Sequence, residues 1–210
     1  MIDIAKVLPE LAIKRPIFHS EADFQHALAW EIHEKNPEYS IRLEQKPPHS
    51  DERIYVDLCL WQNNSLIAIE LKYKTRNLKL EVKQESFDLL DQSAQDVGRY
   101  DFIKDIQRLE GITAMHTNAI GFAVFLSNDS SYWKISKDTK TVDSNFRMHE
   151  GREISGRLAW GTGASAGTMR GREKPLIVKG KYKLTWQDYS EPSKVSHGKF
   201  RYLLVKANNK

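Results

Sequence analysis

Residues 54–74 read IYVDLCLWQNNSLIAIELKYK, two apolar runs around a polar Asn-Asn pair. That pattern admits little besides a β-hairpin. Asn tolerates positive φ better than most residues, so Asn63-Asn64 can serve as a two-residue turn. A turn centred there sets Asp57 directly across from Glu70. Side chains alternate faces along a strand. One face then carries Val56, Leu58 and Leu60 beside Ile67, Ile69, Leu71 and Tyr73, and looks onto a core. The other carries Asp57 and Cys59 beside Ala68, Glu70 and Lys72. A slip of one residue would turn the apolar set to the wrong side, so the register is well specified.

Two carboxylates facing each other across a strand pair repel. A lysine two residues along relieves this in part. A divalent cation relieves it well, because hard cations take carboxylate oxygens. For an isolated Glu-x-Lys the ordinary reading is a wet outer face with a Glu–Lys contact. Here both runs are apolar enough for a central hairpin, where a solvated acid pair is out of place.

The 210 residues, 40% hydrophobic and 29% charged, suit one soluble globular domain over 1–210. A single cysteine, Cys59, excludes an internal disulfide and a Cys-based zinc cluster. No apolar run is long enough to span a bilayer, and MIDIAKVLPELAIKRP lacks the apolar segment of a signal peptide. The expected setting is therefore the cytoplasm, without a membrane partner. The net charge of +4 is uneven: from Lys134 to Lys183 twelve basic residues stand against five acidic ones, so this segment is +7 and the remainder −3. A basic block beside an acidic pocket suits a polyanion held near a metal ion; solubilising loops have the same composition.

Along the chain, a short helix is expected over Ile2–Leu8, ended near Pro9. HSEADFQHALAWEIHEKNP predicts a helix capped by Ser20, with Asp23 in a capping-box position and a stripe of Phe24, Leu28 and Ile32. EYSIRLEQK predicts a strand, PPHSDE a loop, and the hairpin follows. Residues 75–86 are polar and ambiguous. A helix, kinked or double near Gly98, is expected over Phe87–Gly111, then a buried strand in NAIGFAVFLSND. A long Gly/Ser/Arg/Lys-rich loop is expected over 136–174, including GTGASAG, before closing strands in PLIVKGKYKLTW and FRYLLVKA.

Asp57, then twelve residues, then Glu70-Leu71-Lys72, inside an α-β-β-β-α-β element order, resembles the signature of the PD-(D/E)XK nuclease superfamily. The likeness covers about residues 20–128, with 129–210 as an elaboration. Val56 stands where the motif's proline falls, and Gln95 and Tyr100 are one residue too far apart for the RecB-like Q-x-x-x-Y. No branch is assigned. The resemblance implies an α/β (α+β) restriction-endonuclease-like core: a mixed central sheet flanked by helices, with C-terminal strands and a long basic loop added. It implies a Mg²⁺-dependent nuclease, Mn²⁺ being an alternative ion, that cuts DNA rather than RNA and leaves a 5′-phosphate. Homodimers are frequent in the family. The second class is a nucleic-acid-binding protein with this fold that does not cut, and the third a structural or interaction protein whose acid pair is incidental.

In that reading Asp57 and Glu70 bind the metal, with the backbone carbonyl of Leu71. Lys72 positions the attacking water or helps deprotonate it. Glu21, on the stripe of Phe24 and Leu28, reaches the same centre, although an acid in a first helical turn also serves the macrodipole. Glu31 shares the stripe farther along. Gln95 is placed to face nucleic acid, and Arg147, Arg152, Arg157, Arg170 and Arg172 to contact phosphates. Arg99, Asp101, Asp105 and Arg108 read as ion pairs on a helix surface. Cys59 reads as a small filler.

Overall fold

A computed structural model describes residues 2–47, 55–138 and 140–207. The predicted loop at 47–52 lies, apart from Pro47, outside the described residues. The described elements run α1 (Ile4–Lys14), α2 (Glu21–Lys35), β1 (Ser40–Gln45), β2 (Val56–Gln62), β3 (Ser65–Lys74), β4 (Leu78–Val82), β5 (Glu85–Leu89), α3 (Gln95–Met115), β6 (Ala119–Ser127), a 3₁₀ turn (Ser144–Phe146), β7 (Glu153–Leu158), α4 (Ala166–Met169), β8 (Leu176–Lys183), β9 (Trp186–Ser190) and β10 (Phe200–Ala207). The fold is mixed α/β around a mixed central sheet.

Six strands form that sheet in the order β1-β2-β3-β6-β10-β9. Only β3 and β6 run parallel, joined through α3; the other neighbours are antiparallel. Two layers of apolar side chains cover it. On one face Leu58, Leu60, Ile67, Ile69, Leu71 and Tyr73 pack with Leu8 and Leu11 of α1 and Phe24, Leu28 and Ile32 of α2. On the other, Cys59, Ala68, Ala123 and Phe125 pack with Phe102, Ile103, Ile106 and Leu109 of α3. Gly121 lets α3 lie close. A Cβ there would sit 2.8 Å from Leu109 Cβ and 3.3 Å from Ala207 Cβ.

Asn63 turns the β2–β3 hairpin at φ 53°, and pairing runs from Gln62–Ser65 to Leu58–Ile69 in the expected register. The central helix–strand order agrees with the sequence reading, but other parts do not. α1 does not stop at Pro9; it continues to Lys14, losing one backbone bond while Val7, Leu8, Leu11 and Ala12 stay buried. Ser20 caps α2 through the N–H of Asp23, but Asp23 closes no capping box. Arg15 Nη2 donates to both oxygens of the Asp23 carboxylate, and Oδ2 also accepts from the N–H of His19. Residues 87–89 are not helical: Phe87 and Leu89 are buried in β5, paired with β4, and the helix begins only at Gln95 and passes through Gly111. The expected long loop over 136–174 holds the 3₁₀ turn, β7 and α4, and β7 pairs with β8 in a separate ribbon. Of the expected closing strands, β10 joins the main sheet beside β6, whereas β8 does not.

Candidate active site

The hairpin pairing stops one step short of Asp57 and Glu70. Successive N–H groups of a central strand point to alternate neighbours. Leu66 N–H goes to Asn118 on the β6 side, so the N–H groups of Leu71 and Tyr73 point towards β2. There β2 no longer pairs with them. Two carboxylates fill the gap instead: Asp57 Oδ2 accepts from Leu71 N–H at 2.6 Å, and Glu21 Oε2 accepts from Tyr73 N–H at 2.7 Å. Glu21, on the first turn of α2, is thus brought to the end of the hairpin. Gln25 ties the same corner together, donating to the Asp57 carbonyl at 2.7 Å and to Glu44 at 3.0 Å. Glu44 itself has φ 48°, a local break in β1. Val56, expected beside Leu58, packs instead with the α3-side cluster, just where the ladder opens.

Glu70 and Lys72 face α3. Arg108 Nη1 lies 2.7 Å from Glu70 Oε1, and Lys72 Nζ lies 2.9 Å from Asp105 Oδ2. Arg108 Nη2 is also 3.5 Å from Asp105. Lys72 Nζ donates in addition to the Leu71 carbonyl at 3.0 Å. The expected Asp105–Arg108 pair thus forms, but with Asp105 buried against the sheet rather than on the helix surface. Asp105 sits within the buried stripe Phe102, Ile106 and Leu109, and that interruption of an apolar stripe was the available sequence signal. Asp101, expected to join them, pairs with Arg172.

The charges here do not balance. Glu21, Asp57, Glu70 and Asp105 stand against Lys72 and Arg108, an excess of two negative charges when all are ionised. Glu70 and Asp105 are only 2% and 3% exposed. Burial lifts Asp57 from an ordinary 3.8 to about 6, against the opposing pull of the Leu71 N–H and Lys72. Burial pushes Glu70 well above the ordinary carboxylate range; Asp105 adds to this and Arg108 opposes it. Asp105 is raised by burial too, against Lys72 and Arg108. For Lys72 burial disfavours the charge, but Asp105 and Glu21 outweigh it and hold the ammonium above its usual range. Lys72 is accordingly a cation at neutral pH, suited to orienting and neutralising rather than to accepting a proton.

Among the described residues no three His, Cys, Asp or Glu side chains converge into a ready metal cage. The donor chemistry nevertheless suits a hard divalent ion, which takes carboxylate oxygens and keeps several waters. Asp105 Oδ2 is buried without a hydrogen-bond partner, although Lys72 lies within ion-pair distance. An added double positive charge would cancel the excess. The Leu71 carbonyl, third in the expected ligand set, is engaged by Lys72.

The remaining candidates lie elsewhere. Gln95 opens α3 and donates to Asp129 at 2.9 Å, about 15 Å along the helix axis from Asp105. Arg147 binds Thr141 at 2.8 Å and Asp143 at 3.2 Å. Arg152 donates to the carbonyls of Ser144 and Asn145 at 2.6 and 2.8 Å, and Arg172 grips Asp101 with two bonds of 2.7 Å. These three arginines are engaged within the protein; Arg157 and Arg170 are exposed. Glu31 is buried and paired with Lys14 and Lys35, away from the hairpin. Cys59 is buried, and its thiol is pushed up to about 12 by burial and by Glu70, so it is an inert filler. In comparisons with known proteins, no family model, no curated protein and no solved structure matches the chain.

Proposed function

We propose that this protein is a metal-dependent nuclease that hydrolyses phosphodiester bonds of DNA on a restriction-endonuclease-like core. The observation that carries the reading is the charge balance where β2 and β3 part: four carboxylates, two of them buried, against two cations. Unpaired buried charge is costly, and a site that retains it suits a ligand of opposite sign. Asp57 and Glu70 would hold Mg²⁺ or Mn²⁺, together with the Leu71 carbonyl if Lys72 releases it. When bound, the metal polarises a phosphate oxygen and lowers the pKa of a coordinated water.

The protein's own groups do the positioning. Lys72, kept protonated by Asp105 and Glu21, donates to the attacking water and neutralises charge that builds on the phosphate. Asp105 fixes the direction of that ammonium. Gln25 anchors Asp57 to α2 through the Asp57 carbonyl. The water oxygen bonds to phosphorus and gives its proton to solvent, the bond to the 3′ oxygen breaks, and that oxygen takes a proton from solvent. The products are a 5′-phosphate and a 3′-hydroxyl.

The test is cleavage of end-labelled linear and closed-circular DNA with and without Mg²⁺ or Mn²⁺. Asp57→Ala and Lys72→Ala should each lower the rate by at least ~10³-fold, since each removes a charge acting on the transition state. Undiminished cleavage in either variant would remove the proposal. The second reading, DNA binding without cleavage, draws on one observation: Asp57 and Glu21 already serve as acceptors for backbone N–H groups. Binding by gel shift that persists with no products in either metal would favour it.

A further inference from the structure

We propose that Arg108 is the resident cation of this site: it holds Glu70 until a divalent ion takes that carboxylate, and then stands free for the negatively charged substrate. The inference rests on the nuclease reading and concerns how the same site is regulated.

Arg108 bridges the two most buried acids, at 2.7 Å from Glu70 and 3.5 Å from Asp105. Its own side chain is 23% exposed while theirs are 2% and 4%. It reaches solvent beside Glu70, as Lys72 does at 19% beside Asp105. The two cations are held differently. Lys72 is anchored on Asp105 and also on the Leu71 carbonyl. Among the described residues, the ion-pair partners of Arg108 are Glu70 at 2.7 Å and Asp105 at 3.5 Å, so once a metal takes Glu70 only the longer contact to Asp105, which also holds Lys72, remains. A divalent ion bound to Glu70 meets the charge of that carboxylate itself. Glu70 then no longer needs Arg108, and a fork of donors becomes available to phosphate, the geometry guanidinium favours.

A resident cation must compete with the metal. A unit positive charge a few ångströms away opposes a divalent ion enough to weaken its binding by about tenfold. The test is calorimetric titration of the intact protein with Mn²⁺, alongside DNA cleavage at saturating Mn²⁺. Arg108→Gln keeps a donor and loses the charge. It should bind Mn²⁺ about tenfold more tightly and yet turn over about tenfold more slowly. Arg108→Lys keeps the charge without the fork and should fall between wild type and Arg108→Gln on both measures, which preserves the test if Arg108→Gln does not fold. A residue that merely braces the fold would weaken both together.

Equal or weaker Mn²⁺ binding by the variants, with cleavage intact in the wild type, overturns the role of Arg108 alone. Tighter binding with no cleavage by any of the proteins supports its competition with metal and removes the nuclease reading. No Mn²⁺ binding by wild type or variant overturns both.

Discussion

Helix α3 carries two sets of charged side chains, and they are built differently. Towards the segment that follows β6, Arg99 meets Asp143, Asp101 meets Arg172, and Asp143 is shared with Arg147. Glu110 accepts from the N–H groups of Lys179 and Gly180 and from the Tyr182 hydroxyl. Every acid of this set is thus met by donors: Asp101 and Asp143 by three arginines, Glu110 by neutral N–H and O–H groups. Towards β3, Asp105 and Arg108 join a set in which acids outnumber cations by two to one. Balanced buried charge fastens one part of a fold to another. Unbalanced buried charge weakens the fold as it stands, and that expense is characteristic of functional positions.

Changing one side chain in each set should separate them, the largest effect coming from the balanced set. Asp143→Asn leaves two guanidiniums short of their anion and should lose about 3–4 kcal/mol in urea unfolding. A loss below about 1 kcal/mol would erase the contrast. Glu110→Ala strands three donors and should lose about 2–3 kcal/mol on the same measurement. Asp57→Asn should move the other way. It removes a carboxylate whose charge is disfavoured in the fold, while the amide oxygen can still accept from Leu71. Metal-free protein at pH 8 should gain about 1 kcal/mol.

The smallest effect is a difference in pH dependence. Asp57 titrates near 6 in the folded protein against an ordinary 3.8, so the unfolded chain releases its proton first. Stability of the metal-free protein should fall as pH rises from about 4 to about 6. Asp143 has the opposite sign: despite burial, Thr141, Arg99 and Arg147 hold it below its ordinary 3.8. Its contribution is present above about pH 4 and is lost as pH falls through its folded value. Asp57→Asn should flatten the first slope and Asp143→Asn the second, read from urea midpoints across pH. Interchanged slopes would reverse the assignment of the two sets.

The hairpin register could be read in the sequence because both of its determinants are local: a turn residue that accepts positive φ and a strict alternation of apolar side chains. The side chains that complete the site could not be read so directly. Asp105 and Arg108 reach Glu70 and Lys72 only because Gly121 lets α3 settle on the sheet, and that is a tertiary fact. The β4–β5 hairpin gave no turn signal, since Lys83 and Gln84 adopt φ of 52° and 69° without glycine or asparagine. Pro9 misled for a related reason: burial of one face of α1 outweighs one missing backbone bond. The arginines after β6 resembled a polyanion surface by composition. Which of them are tied down depended on acids far along the chain, such as Asp101 for Arg172.

The position of β10 bears on how the protein comes into being. It is an interior strand, pairing with β6 from Arg201–Ser127 to Ala207–Gly121 and with β9 on its other side. Its partner β6 ends at Ser127, and β10 begins only at Phe200. While a ribosome is still translating the intervening stretch, β6 presents an open rim of unmatched backbone groups on its side away from β3. Such a nascent chain invites intermolecular strand addition. Synthesis at low temperature or in the presence of a holdase should therefore raise soluble yield more than any change to the finished surface.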